Sequence, residues 1–214
     1  MCLLCYYKPI IIYKGFVMRK NGIVYGYGIN DIGSVESIQR EYKLWQGVLR
    51  RCYSRKDQEN QRNKSYVDCS VSENFLKLSY FSKWCQEQVG FKNKDEHDRY
   101  WELDKDILIK GNRVYSEDTC VFVPREINKL LTGSIKPNRA LPVGVHLQKD
   151  ASLFVAQCSD SQNGQILLGY FKTVDEAFKA YKNFKENIIK SKVMKWESCL
   201  DPLVFTALLK YEVG

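Results

Sequence analysis

Apolar and polar positions follow several different periods along this 214-residue chain. Ile10–Tyr13 is a β-branched and aromatic run. Ile23 to Ile29 alternates apolar residues with Gly26 and Gly28, and Asn30–Gly33 has turn composition. Tyr42, Trp45, Val48 and Leu49 then recur at helical spacing. They predict an amphipathic helix ending near Cys52, with Arg40, Lys43, Arg50 and Arg51 on its other face and Ser34 or Ser37 as its cap. Asp57 to Lys64 is polar and predicts an exposed loop, and Tyr66–Val71 predicts a short strand. A second helix is expected from about Asn74 to Val89, with Phe75, Leu78, Phe81, Trp84 and Cys85 inward and Gly90 as its stop.

Beyond the charged connector Phe91–Arg99 the period shortens again. Trp101, Leu103, Ile107 and Ile109 are strand-like, Gly111–Asn112 is a turn, and Thr119–Val123 is a second strand. Pro124 suits a helix start, and Ile127, Leu130 and Leu131 give that helix an apolar face ended by Gly133. Ser134–Ala140 has linker composition. Three strands follow at Val143–Gln148, Leu153–Cys158 and Ile166–Phe171, separated by turn signals at Asp150 and Asn163–Gly164. Thr173-Val-Asp-Glu176 is a capping box, and Ala177, Ala180, Tyr181, Phe184 and Ile188 form one face of the helix behind it. The tail from Trp196 to Val213 predicts a further helix packing back. The pattern is that of the α+β class, divided at about residues 1–60, 61–135, 141–192 and 193–214.

Charge narrows the function classes. Lys+Arg 33 against Asp+Glu 25 gives a net charge of +8, and residues 1–60 hold 10 basic against 5 acidic side chains. The excess centres on Arg50, Arg51, Arg55 and Lys56, among Trp45, Tyr53 and Tyr66. Such a segment suits phosphate contacts with stacking, or equally a solvated helix end and loop. No apolar run approaches the roughly 20 residues of a membrane span, and the apolar start is broken at Tyr6, Tyr7, Lys8 and Pro9, so neither a membrane nor a secretory signal is expected. Cys 8 is too sparse for a disulfide scaffold. Cys2 and Cys5 form a lone CxxC without a second pair, which makes zinc an unlikely ligand and buried free thiols in a cytoplasm the expectation.

Several separated motifs occur in an order that resembles the ββα-metal core of bacteriophage HNH endonucleases. They are Trp45-Gln46-Gly47, Arg51-Cys52-Tyr53-Ser54, Cys69-Ser70-Val71, Leu103-Asp104-Lys105-Asp106, Gly111-Asn112, Tyr115-Ser116 and Thr119-Cys120, then Asn128 on the helix. The resemblance covers roughly residues 25–135. It implies metal-dependent nicking of DNA, with Mg²⁺ or Mn²⁺ on Asp104 and Asn128 and a general base activating water. Two positions depart from the family. Lys105, beside Asp106, stands where the base histidine belongs, and Thr119 stands where an asparagine orients that base. A lysine between carboxylates is a poor base.

Residues 141–190 resemble the DNA-binding domain of plant APETALA and ethylene-response factors. The matching residues are Gly144-Val145, Ala156, Leu168-Gly169-Tyr170-Phe171-Lys172-Thr173, Glu176-Ala177 and Ala180-Tyr181. That resemblance implies a three-stranded antiparallel sheet, packed on one helix, lying in the major groove of double-stranded DNA. His146, Gln148, Gln157, Ser159 and Gln165 would then face the duplex. The family uses mostly arginine at such places, so the phosphate contribution is smaller here. Three functions follow as expectations: a DNA endonuclease, a DNA-binding protein without cleavage, and a phage protein that binds and inhibits a host protein. The sequence leaves the oligomeric state open.

Overall fold

A computed structural model describes residues 22–59, 66–131, 140–148, 152–160 and 164–214. The Ile10–Tyr13 run, Cys2, Cys5, most of the 134–140 linker, and the turns at Asp150 and Asn163 lie outside the described residues.

Strands β1 (Ile23–Val24) and β2 (Gly28–Ile29) form a hairpin. The Asn30 side chain then closes the next turn by accepting the Ile32 and Gly33 amides, each at 3.2 Å. Helix α1 (Gln39–Tyr53) buries Trp45, Val48, Leu49 and Cys52, as its periodicity requires. Neither Ser34 nor Ser37 caps it. A 3₁₀ turn at Glu36–Ile38 leads directly into the helix, and no side chain bonds its first amides. The segment expected as loop from Asp57 begins as a short helix, α2 (Arg55–Gln58), because the Ser54 hydroxyl accepts the Asp57 amide at 3.4 Å.

Strand β3 (Ser70–Val71) is shorter than its apolar run. Helix α3 (Leu78–Glu87) follows a 3₁₀ turn at Asn74–Leu76 and packs on α1. The Trp45 indole donates to the Phe75 carbonyl at 2.8 Å, and the rings of Phe75, Phe81, Trp84, Phe122 and Phe91 form a continuous aromatic cluster. The Asp31 carboxylate reaches the first turn of α3 and accepts the Ser79 amide at 2.9 Å.

Strand β4 (Glu102–Asp104) pairs antiparallel with β6 (Val121–Val123), with Leu103 opposite Phe122. Helix α4 (Arg125–Leu131) starts at once behind Pro124, whose carbonyl accepts the Ile127 and Asn128 amides at 3.0 and 3.1 Å. Two features differ from the sequence expectation. The strand expected to run on to Ile109 ends at Asp104, because the Asp104 carboxylate turns the chain. In addition, a further strand, β5 (Val114–Tyr115), pairs parallel with β3 rather than with β4.

The last part is a sheet of order β7-β8-β9, namely β7 (Val145–Leu147), β8 (Phe154–Asp160) and β9 (Gly164–Phe171), all antiparallel. Helix α5 (Val174–Met194) crosses one face, and the capping box of Thr173 and Glu176 is formed. Val145, Ala156 and Ala177 meet at its centre, flanked by Phe154, Leu168, Phe171 and Phe178. Gly144 has φ 77°, and a Cβ there would lie 2.1 Å from the Tyr181 ring, so sheet and helix approach through this residue. Helix α6 (Pro202–Leu209) starts with Pro202 in its first turn and the Asp201 side chain accepting the Leu203 amide at 2.8 Å.

The main core is continuous. It runs from Trp45 and Phe81 through Trp101 and Ile127 to Ile189 and Val193 of α5 and Val204 and Leu208 of α6. A polar contact sits at that junction. Glu126 on α4 accepts the Trp196 indole N–H at 2.7 Å and pairs with the buried Lys192 ammonium at 3.4 Å. Among the described residues no helix is long and apolar enough to cross a membrane.

Candidate nucleic-acid interface

Strand alternation decides which sheet residues are free. Val145 pairs with Ala156 and Phe154 with Phe171, and these residues pack towards α5. Their neighbours therefore project from the opposite face. His146 lies across from Val155 and Val155 across from Tyr170, Gln157 lies across from Leu167, and Ser159 across from Gln165. A register shift after Ala156 makes Leu168 the extra residue, which returns it to the core side. Gln148 extends the same outer row, its amide donating to the Leu153 carbonyl at 2.8 Å. The five positions named for DNA contact thus share one outer face. His146, Ser159 and Gln165 are exposed, and Gln148 and Gln157 are half-buried.

Sequence reasoning missed two members of this face. They are Tyr170, 54% exposed, and Leu167, 49% exposed. The alternation either side of the inward Phe171 would have found Tyr170. Leu167 needs the bulge as well, which no residue pattern announces.

The basic segment divides. Arg55 and Lys56 on α2 are exposed, and Arg50 is open to solvent with its guanidinium 3.8 Å from the Asp57 carboxylate. Arg51 instead turns inward, its guanidinium 5.5 Å from the Tyr66 ring and 5.4 Å from the Tyr115 ring. Trp45 is buried and Tyr66 half-buried, so of the four cations named from the sequence Arg50, Arg55 and Lys56 stay open to solvent.

The ββα side chains have internal partners. Asp104 Oδ1 accepts the amides of Asp106 and Ile107 at 2.7 and 3.0 Å, and burial pushes its carboxyl above the usual range against the opposing pull of these two amides. Lys105 is buried. Its ammonium donates to the Asp106 carboxylate and, at 2.7 Å, to the Asn112 carbonyl. The Asn112 amide returns a bond to the Lys105 carbonyl at 2.8 Å, which closes the loop between β4 and β5. Thr119 donates to the Val114 carbonyl at 2.9 Å and lies 2.8 Å from the Ser116 hydroxyl. Asn128 donates to Glu102 at 2.7 Å, and Glu102 also faces Arg125 at 3.4 Å, which docks α4 onto β4. Burial raises the neighbouring Cys52 and Cys120 thiols to about 12, so neither ionises near neutrality. Among the described residues no group of three or more His, Cys, Asp and Glu side chains is placed to hold a metal ion. Comparison with protein-family models, curated proteins and solved structures returns no match for this chain.

Proposed function

We propose that the chain is a duplex DNA-binding protein that lays the outer face of the β7-β8-β9 sheet in the major groove. One observation carries this reading: His146, Gln148, Gln157, Ser159 and Gln165 stand together on the face away from α5. Among these five there is no carboxylate to repel phosphate. Glutamine pairs bidentately with adenine, and histidine and serine bond either base edges or phosphates. Arg50, Arg55 and Lys56 supply further phosphate contacts. The reading carries a cytoplasmic location with it, the host bacterial cytoplasm for a phage-encoded chain.

Metal-dependent nicking is the second reading, favoured by the β4–β6–α4 arrangement with Asp104 at the strand end. The donor set fits a divalent cation poorly. Asp104 Oδ1 already accepts two amides, and the Lys105 ammonium follows directly in the chain. Binding without cleavage is therefore the reading offered.

Gel shifts on duplex DNA at rising salt test it, with supercoiled plasmid incubated in parallel with Mg²⁺, Mn²⁺ or EDTA. The expected result is a shift that weakens steeply with salt, lost in H146A/Q157A and without nicking. Nicking that disappears in Asp104→Asn would replace this reading with the endonuclease. Absence of any shift would leave a host protein as the partner.

A further inference from the structure

The β1–β2 hairpin presents two tyrosines in an unusual way. Its loop holds Tyr25, Gly26 and Tyr27 between the paired residues Val24 and Gly28. Tyr25 has φ 52°, in the left-handed region that a bulky side chain rarely occupies, yet the residue is 41% exposed. Glycine or asparagine would hold this turn without strain, so the turn itself gives no reason for a tyrosine. A strained residue at a solvent-facing tip points to a role for its side chain.

The hairpin is fixed, not hanging. A Cβ on Gly28 would lie 2.2 Å from Leu49 and 2.7 Å from Trp45, so the backbone of β2 rests directly on α1. On its other side Ile29 bridges to Lys77. Tyr27 stacks on Tyr53 of α1 with ring centroids 4.0 Å apart and planes at 21°, and remains 46% exposed. One face of the Tyr27 ring is thus covered by Tyr53, while nearly half of the residue's surface stays open to solvent. Arg50 lies one helical turn before Tyr53, and Arg55 and Lys56 follow it on α2. Among the described residues Asp57 faces Arg50, at 3.8 Å.

We propose that this corner is a second nucleic-acid surface, specific for an unpaired stretch of DNA. A base continues the Tyr53–Tyr27 stack, Tyr25 holds a neighbouring base, and Arg50, Arg55 and Lys56 take the phosphates. Bases in a duplex are already stacked on each other and do not offer their faces to such a platform. Base–aromatic stacking tolerates any sequence, so the surface reads strandedness rather than sequence. It uses none of the five residues of the outer sheet face, and only the cations Arg50, Arg55 and Lys56 serve both surfaces.

The test uses the full chain and a fluorescein-labelled oligothymidylate of about twelve residues, followed by anisotropy at low salt. The wild type is expected to bind, with affinity falling as salt rises. Tyr25→Asn removes the ring and suits the left-handed turn, so it is expected to weaken binding about fivefold or more while the melting temperature holds or rises. Tyr27→Leu keeps an apolar contact over Tyr53 and is expected to weaken binding similarly. H146A/Q157A is expected to bind the oligonucleotide as the wild type does, which separates this surface from the sheet. Absence of binding, or unchanged affinity in Tyr25→Asn, would overturn the proposal. Tighter binding of oligouridylate in a parallel titration would overturn the assignment to DNA.

Discussion

Replacing Glu126 with leucine removes a carboxylate that two groups share across the junction of α4 and α5. Its Oε1 accepts the Trp196 indole N–H at 2.7 Å and its Oε2 faces the Lys192 ammonium at 3.4 Å. The Lys192 side chain is 9% exposed and that of Glu126 26%, so the ammonium has little water to turn to once its partner is gone. Breaking a buried pair from one side costs about 3–5 kcal/mol, and the partial exposure of Glu126 places this case near the low end, at about 3 kcal/mol. At roughly 2–4 °C per kcal/mol for a chain of this size, the melting temperature should fall by about 6–12 °C. The informative companion is E126L/K192M, which removes both charges and keeps apolar volume. It should recover most of the loss, leaving about 1 kcal/mol from the unpaired indole. Urea unfolding of wild type, both single variants and the double variant gives the coupling energy directly. A single variant as stable as wild type, or a double variant no better than Glu126→Leu, would refute the reasoning.

Other consequences are equally measurable. Thr173→Ala removes the hydroxyl that accepts the Glu176 amide at 3.2 Å and should cost about 1 kcal/mol in urea unfolding. Gly144→Ala forces a Cβ against Tyr181 at a residue with φ 77° and should destabilise by more than about 2 kcal/mol, seen as a lowered melting temperature. Burial raises the folded Asp104 carboxyl above its ordinary 3.8, so the contribution of that group is fully present below pH 3.8 and is lost as pH rises through the folded value. Asp104→Asn keeps an oxygen for the two amides without the charge. Its stability relative to wild type should therefore rise between acid and neutral pH, and urea midpoints that stay parallel would contradict the burial. Lys105→Met should lower stability, because the Asn112 carbonyl loses its ammonium donor, and differential scanning calorimetry reads the change.

Elements with strong periodicity and local caps were legible in the sequence. Helix α5 announces itself through Thr173 and Glu176, and α1 through Trp45, Val48 and Leu49. The three strands of the last sheet were found with small errors at their ends, whereas the five polar residues of their outer face were named through the family resemblance, and strand alternation places them on one side. Non-local features were not legible. Nothing near Val114 says that it pairs parallel with Ser70, and nothing near Asp31 says that its carboxylate meets Ser79 on α3. The strand expected through Ile109 failed because apolar residues in a loop folded over the core imitate an extended run, while the Asp104 side chain decides the turn. Charge alone also misplaced Arg51, since a guanidinium between tyrosine rings reads in sequence as one more surface cation.

The span of α5 has a consequence for anyone who would treat the last sheet as a portable unit. Its first turns serve Ala156 and Val145, whereas Ile189 and Val193 near its other end belong to the core shared with α6. Cutting the chain around residues 141–192 would leave Ile189 facing water and Lys192 without Glu126, and would end the helix before Val193. A transplant should therefore carry the chain through α6 and replace the lost α4 surface, or trade Ile189 and Lys192 for soluble residues. Sequence boundaries drawn at a repeat of strands and a helix mark where a pattern ends, and here the joint of the molecule lies inside the helix.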